Sequence, residues 1–182
     1  MAEIEREVRE QGARFIDFED ENLALDRRWF SSLLDRLEQA TGGQAVELRA
    51  MNGLLPHTLD MELLRQMKGA GFRTLNLSLG SCRPDQLRRF SRPDEVDAFF
   101  RVLAEAKALG LKVVGYIIVG APGQQAEESL SDLLRLAAHS VLAGVSVYYP
   151  SPGSADYQRC RDDGLLPEAL SLYRSTALPI SG

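Results

Sequence analysis

Apolar and polar positions alternate along this chain in two rhythms. Five short, mostly apolar segments predict β-strands at residues 13–18, 45–50, 74–79, 112–119 and 144–149. Several are nearly continuous apolar runs, which suits strands covered on both faces, as in parallel sheets. The segments between them carry helical spacing. Residues 26–40 place Trp29, Phe30, Leu33, Leu34 and Leu37 on one face, with Asp26 as the expected N-cap and Gly42-Gly43 as the stop. Thr58 is the expected N-cap of a helix over 59–70 that ends at Gly71. Arg92-Pro93-Asp94 opens a helix over 95–109, and a further helix is expected over 125–142, closed by Gly144. Charged helices are expected at 2–11 and 154–163. Helices and strands therefore alternate, and short connections of this kind give right-handed parallel crossovers. Five strands are too few for a complete eight-stranded barrel.

Bulk properties narrow the class. The 182 residues fit one domain with a real core. A net charge of −5 argues against a nucleic-acid-binding face. No apolar run approaches membrane-spanning length, and Met1-Ala2-Glu3-Ile4-Glu5-Arg6 is unlike a signal peptide, so a cytoplasmic protein is expected. Cys82 and Cys160 lie far apart and predict neither a disulfide scaffold nor a closed zinc site. His57 and His139 read as surface or packing residues.

In parallel βα folds the chemistry sits at the carboxyl ends of the strands. The first strand ends in Phe18-Glu19-Asp20-Glu21-Asn22, a set suited to an amine, hydroxyls or a hard cation, or else a solvated loop before the next helix. The second carries Arg49, whose expected partner is an acid of the neighbouring strand, Asp17 or Asp20, and then the Asn52-Gly53 turn. The third ends in Ser78-Leu79-Gly80-Ser81-Cys82, and Cys82 reads as a structural thiol. The fourth ends in Gly120-Ala121-Pro122-Gly123, where glycine lets backbone approach a ligand and proline fixes the turn; an ordinary βα turn has the same composition. The fifth runs through Tyr148 and Tyr149 into Pro150-Ser151-Pro152-Gly153. Asp20, Arg49, Ser78, Gly120 and Pro150 are expected to line one mouth.

The order of these motifs resembles the radical SAM superfamily, in particular its cobalamin-binding and tRNA-thiolation type. FIDFEDENLALDRRWFSSLLDRL resembles the family's second strand with its acidic loop and helix, and LRAMNGLLPHTLDMELLRQMKGAGF resembles its third. RTLNLSLGSCRPDQLRRFSRP, GLKVVGYIIVGAPGQQAEESLSDLL and YYPSPGSADY follow as the fourth, fifth and sixth. The resemblance implies a partial six-stranded βα barrel with strands two to six present. It also implies S-adenosylmethionine and a [4Fe–4S] cluster as cofactors, reductive cleavage to a 5′-deoxyadenosyl radical, and cobalamin where an upstream domain carries it. Asp20, Glu21 and Asn22 would face the methionine amino group, Arg49 and Ser78 the carboxylate or ribose, and Gly120, Ala121, Pro122 and Gly123 the adenine. The substrate is not legible.

Two departures qualify the resemblance. The family's Cys-x3-Cys-x2-Cys loop, which holds the cluster, is absent from these residues. Gly80 stands where the family's Gly-x-Glu-Ser segment has glutamate. Both an inactive fragment of a larger enzyme, its cluster loop lying upstream, and a degenerate, non-catalytic binding module fit this pattern. A metal- or phosphate-dependent βα-barrel lyase or aldolase, with a metal on Asp17, Asp20 and Glu21, is the other class to be weighed. A missing first strand would expose the edge at 13–18, through which self-association is expected.

Overall fold

The computed structural model describes residues 1–41 and 46–166. Its elements run α1 (Ala2–Arg9), β1 (Phe15–Asp17), α2 (Arg27–Ala40), β2 (Glu47–Arg49), a 3-10 turn (Pro56–Thr58), α3 (Met61–Ala70) and β3 (Thr74–Gly80). Then come α4 (Pro84–Arg89), α5 (Val96–Ala108), β4 (Lys112–Val119), α6 (Ala126–Ala138), β5 (Leu142–Val147) and α7 (Ala155–Asp162). The strands are parallel and form two sheets, β1-β2 and β3-β4-β5, so the expected α/β class holds. The chain divides into two compact units, residues 1–79 with 95–115 and residues 80–94 with 116 onward; β4 runs from the first into the second.

In the first unit β1 and β2 pair in the register Phe15–Glu47, Ile16–Leu48 and Asp17–Arg49. Parallel bridges at Leu48–Phe72 and Leu54–Leu77 carry the pairing on toward β3. The helical stripes explain the core. Phe30, Leu34 and Leu37 of α2 and Leu63, Leu64 and Met67 of α3 are buried, as are Leu48, Leu75 and Leu77 of the strands. Phe72 lies among them, stacked on Phe18 at 6.5 Å and edge-on to Phe30 at 6.3 Å. Each such side chain contributes roughly 1.5–3 kcal/mol by leaving water. Asp26 and Asp60 cap the two helices by accepting the amides of Trp29 and Leu63. At Gly71 (φ +126°) a Cβ would lie 2.5 Å from the Val46 carbonyl oxygen, so only glycine lets α3 turn into its strand there.

The second unit is built around α6. Asp132, fully buried on that helix, accepts the Ser81 hydroxyl at 2.6 Å and the Cys82 amide at 2.9 Å. Arg135 donates to the Cys82 carbonyl at 2.9 Å, and Arg89 of α4 donates to the Gly123 carbonyl at 2.7 Å. Gly144 of β5 lies against the Tyr116 ring, where a Cβ would stand 2.6 Å from its carbons.

Several boundaries differ from the sequence reading. The strands expected at 13–18 and 45–50 shorten to Phe15–Asp17 and Glu47–Arg49, while Ala45 and the Gly42-Gly43 stop lie outside the described residues. Thr58 is not a helix cap: its hydroxyl donates to the Leu55 carbonyl inside the 3-10 turn, and Asp60, in extended backbone, caps α3 instead. The helix expected over 125–142 stops at Ala138 because His139 and Ser140 turn the chain, Ser140 with φ +51°. Leu142, which prolongs the apolar periodicity, opens β5, and that strand ends at Val147 rather than residue 149. The short helix α4 (Pro84–Arg89) adds to the expected elements; Pro84 in its first turn and Asp85 are its local signals.

Candidate functional site

The sheet of β1 and β2 has two unlike faces. Ile16, Leu48 and the following Phe18 look toward the helical core, with Leu48 fully buried. The alternate positions Phe15, Asp17, Glu47 and Arg49 lie on the other face, where Phe15 is 57% exposed. Parallel strands are ordinarily covered on both faces. A face that instead carries one aromatic ring, two acids and a guanidinium is suited to a polar ligand.

Arg49 takes a different partner from the expected one. Its Nε donates to Glu47 Oε1 on its own strand at 2.9 Å, and the guanidinium lies 4.4 Å from the Phe15 ring centroid. Asp17, its register neighbour, accepts the Met51 amide at 3.1 Å instead. The two-residue period of the strand explains this: Glu47 and Arg49 point the same way, whereas Asp20 lies past the strand end.

Three strand ends meet in this unit. The Asn52 side-chain amide donates to the Glu19 carbonyl, which ties the acidic loop after β1 to the turn after β2. Asp20, Glu21 and Asn22 are exposed beyond this tie, and Asn22 takes φ +56° while its carbonyl accepts the Leu25 amide. The turn after β2 joins β3 through Leu54 N–H to the Asn76 carbonyl at 2.7 Å and Ser78 N–H to the Leu54 carbonyl at 2.9 Å. Gly53 packs on Ser78, within 3.6 Å of its Cβ for an added methyl. Asn76, buried on β3, donates to the Ala50 carbonyl and to Met51 Sδ. Asp20, Glu21, Asn22, Arg49 and Ser78 thus all belong to adjoining strand ends of the first unit.

The Gly120–Gly123 turn belongs to the second unit. Gly120 and Gly123 both take φ +74°, the left-handed backbone that glycine adopts freely. Gln124 braces the turn, accepting the Ala121 amide at 3.1 Å and donating to the Ile118 carbonyl at 3.0 Å. Ala121 is buried, Pro122 half-buried and Gly123 exposed. The Ala121 amide is therefore committed within the turn. Gly80 is also a conformational requirement: it takes φ +80°, and a Cβ there would come within 3.2 Å of Arg92 and Leu87. A glutamate in its place would be strained.

Cys82 is buried, and burial together with the nearby Asp132 charge pushes its thiol up to about 11. Cys160 is buried and likewise raised, chiefly by desolvation. Tyr148 donates to Asp156 at 2.7 Å and is raised by burial and that carboxylate, a packing role rather than a pocket wall. His57, on the surface, makes two hydrogen bonds to the buried Glu95 carboxylate, through its backbone amide and through Nδ1. Among the described residues, no three or more His, Cys, Asp or Glu side chains are gathered where they could hold a metal ion. Asp17, Asp20 and Glu21 do not form the metal site that a lyase or aldolase would need.

Parallel strands that each feed a helix, with polar and small residues at their ends, define a protein of the βα-barrel class. A family model described as the radical SAM superfamily matches residues 2–137, and the chain belongs to that superfamily. A search of curated proteins finds no match. Among solved structures, the radical S-adenosylmethionine methyltransferase TsrM from Kitasatospora setae, with cobalamin and a [4Fe–4S] cluster bound, is similar with a TM-score of 0.68 and 18% identity over 80% of this chain. Methylornithine synthase (PylB) is similar over 96% of the chain with a TM-score of 0.63 and 18% identity. Coproporphyrinogen III oxidase (HemN) from Escherichia coli is similar over 86%, with a TM-score of 0.65 and 18% identity. At this identity the likeness establishes the fold. The chain spans 29% of TsrM, 47% of PylB and 38% of HemN.

The superfamily implies S-adenosylmethionine and a [4Fe–4S] cluster. The cluster does not fit the thiols present: the family's loop supplies three thiolates, and this chain has only Cys82 and Cys160, both buried and held protonated by burial. S-adenosylmethionine is different. Its amino-acid end needs acceptors for an ammonium and donors for a carboxylate, and the open face and strand ends of the first unit offer both.

Proposed function

We propose that these residues form the part of a radical SAM enzyme core that binds S-adenosylmethionine and walls the reaction space, with the cluster held by cysteines outside the 182 residues. The observation that carries this reading is the uncovered face of β1 and β2, bearing Asp17, Glu47 and Arg49 beside the joined strand ends. Exposed carboxylates at Asp20 and Glu21 and the Asn22 amide would accept from the methionine ammonium. Arg49, held over Phe15 by stacking and by Glu47, would present its remaining N–H groups to the carboxylate. Ser78 would serve the ribose. Reductive cleavage, the chemistry that the bound cluster supplies, is not performed by these residues alone.

The substrate would occupy the same open face. Cobalamin, which TsrM holds, would require a further segment in this protein. No helix among the described residues is long and apolar enough to cross a membrane. The two free, buried thiols suit a reducing compartment such as the cytoplasm.

Anaerobic reconstitution with iron and sulfide tests the division of labour. The 182-residue chain should hold no stable cluster, whereas the protein with its flanking cysteine loop should show cluster absorbance. Cluster absorbance on the 182-residue chain would overturn the assignment. In the cluster-bearing protein, Arg49→Met should weaken S-adenosylmethionine binding by roughly ten-fold or more, the scale of one charge-assisted hydrogen bond, while Arg88→Met on α4 leaves it unchanged. Equal affinities for the two variants would remove Arg49 from the site.

A further inference from the structure

The pairing of β1 with β2 continues past the end of their backbone ladder. Phe18 N–H donates to the Arg49 carbonyl at 2.9 Å, and beyond that bond two side chains take over in opposite directions. Asp17 of β1 accepts the Met51 amide at 3.1 Å, and the Asn52 side-chain amide donates to the Glu19 carbonyl. Asn52 stands on a fixed turn. Ala50 and Leu54 on either side of it are buried, Gly53 N–H donates to the Ala50 carbonyl at 3.3 Å, and Leu54 N–H donates to the Asn76 carbonyl at 2.7 Å. The acidic loop is anchored a second time just past Asn22. There Leu23 and Ala24 are buried, and the Asn22 carbonyl accepts the Leu25 amide at 2.9 Å. Asp20 and Glu21 are exposed on the short span between these two anchors.

On the reading of this unit as the S-adenosylmethionine site, we propose that Asn52 is a positioning residue for the ligand's ammonium group. It touches no ligand atom. It holds the Glu19 carbonyl, and through it sets where the Asp20 and Glu21 carboxylates stand. The loop needs such a hold. Glu19, Asp20 and Glu21 are three consecutive acids, and their mutual repulsion drives a free loop apart. Ordering a free loop when ligand binds costs conformational entropy, whereas a loop anchored at both ends is ordered beforehand. A carboxamide suits this place. It donates to a carbonyl and adds no charge, while a carboxylate there has no hydrogen to give and would repel the acids beyond. Asp17 supplies the reverse bond, so the two loops are tied in both directions.

Equilibrium dialysis of the cluster-bearing protein with two ligands tests the role. One is S-adenosylmethionine, and the other is its deaminated analogue, in which hydrogen replaces the α-amino group. Asn52→Ala should weaken S-adenosylmethionine by roughly three- to ten-fold, the scale of one hydrogen bond, and leave the analogue within about two-fold of its wild-type affinity. Asn52→Ser, whose side chain falls short of the Glu19 carbonyl, should show the same preference and serves where the alanine variant does not fold. A merely structural role would weaken both ligands alike. That result, or unchanged affinity for both, would overturn the proposal. Arg49→Met separates this role from the reading of the site. Both ligands keep the carboxylate, so this variant should weaken both. If it weakens neither, the site reading fails. If it weakens both while the Asn52 variants show no preference between the ligands, only the positioning role of Asn52 falls.

Discussion

The Asp132 carboxylate of α6 accepts the Ser81 hydroxyl at 2.6 Å, with both side chains fully buried. The same carboxylate takes the Cys82 amide, so one side chain fastens the turn after β3 to a helix that lies 50 residues further along the chain. Burial raises its pKa above the usual carboxylate value, with the Ser81 and Cys82 bonds opposing that rise.

Replacing this carboxylate should be costly in proportion to the bonds lost. Asp132→Ala strands a buried hydroxyl and a buried amide and should destabilise by about 1–3 kcal/mol, whereas Asp132→Asn keeps an acceptor and should lose less. The pH dependence has a definite sign. A carboxyl with a raised folded pKa binds its proton more tightly in the folded state. Its contribution is therefore fully present below the unfolded pKa of about 3.9 and is lost as pH rises through the folded value. The stability advantage of wild type over Asp132→Asn should shrink across that window. Urea unfolding at a series of pH values measures it, and an advantage that grows with pH would contradict the burial argument.

Gly144→Ala should destabilise by about 1–3 kcal/mol, because the added methyl meets the Tyr116 ring at 2.6 Å and one of the two must move. Tyr116→Ala opens that space. In a thermodynamic cycle the double variant should be more stable than the sum of the single changes allows, with a coupling on the order of 1 kcal/mol. Strict additivity would mean that the ring and the strand do not press on each other.

Both thiols should be silent toward a disulfide reagent in the folded protein at pH 8. Cys82 is 2% and Cys160 1% exposed, and a thiol at about 11 holds only ~0.1% thiolate at that pH. Unfolding in guanidinium should release both at once. Rapid labelling of Cys82 without unfolding would show that the turn after β3 opens independently of Asp132.

Local signals carried the element order. The apolar stripe through Phe30, Leu34 and Leu37 marks α2, the run 112–119 marks β4, and glycines 71 and 110 mark the turns that follow α3 and α5. These signals lie within one or two turns of chain, where spacing and backbone preference act. The order of strand-end motifs likewise pointed to the superfamily, because each motif is contiguous. What tertiary structure decided is pairing at a distance. Nothing near Arg49 in the sequence says that it stacks on Phe15 of the neighbouring strand. Nothing near Ser81 names Asp132, 51 residues away. Nor does Gly80 reveal, before Arg92 and Leu87 are packed against it, that glutamate has no room there. A side chain's neighbours depend on which faces of separate strands and helices are brought together. Periodicity tells which face is apolar, while its partner is set only by how the chain packs.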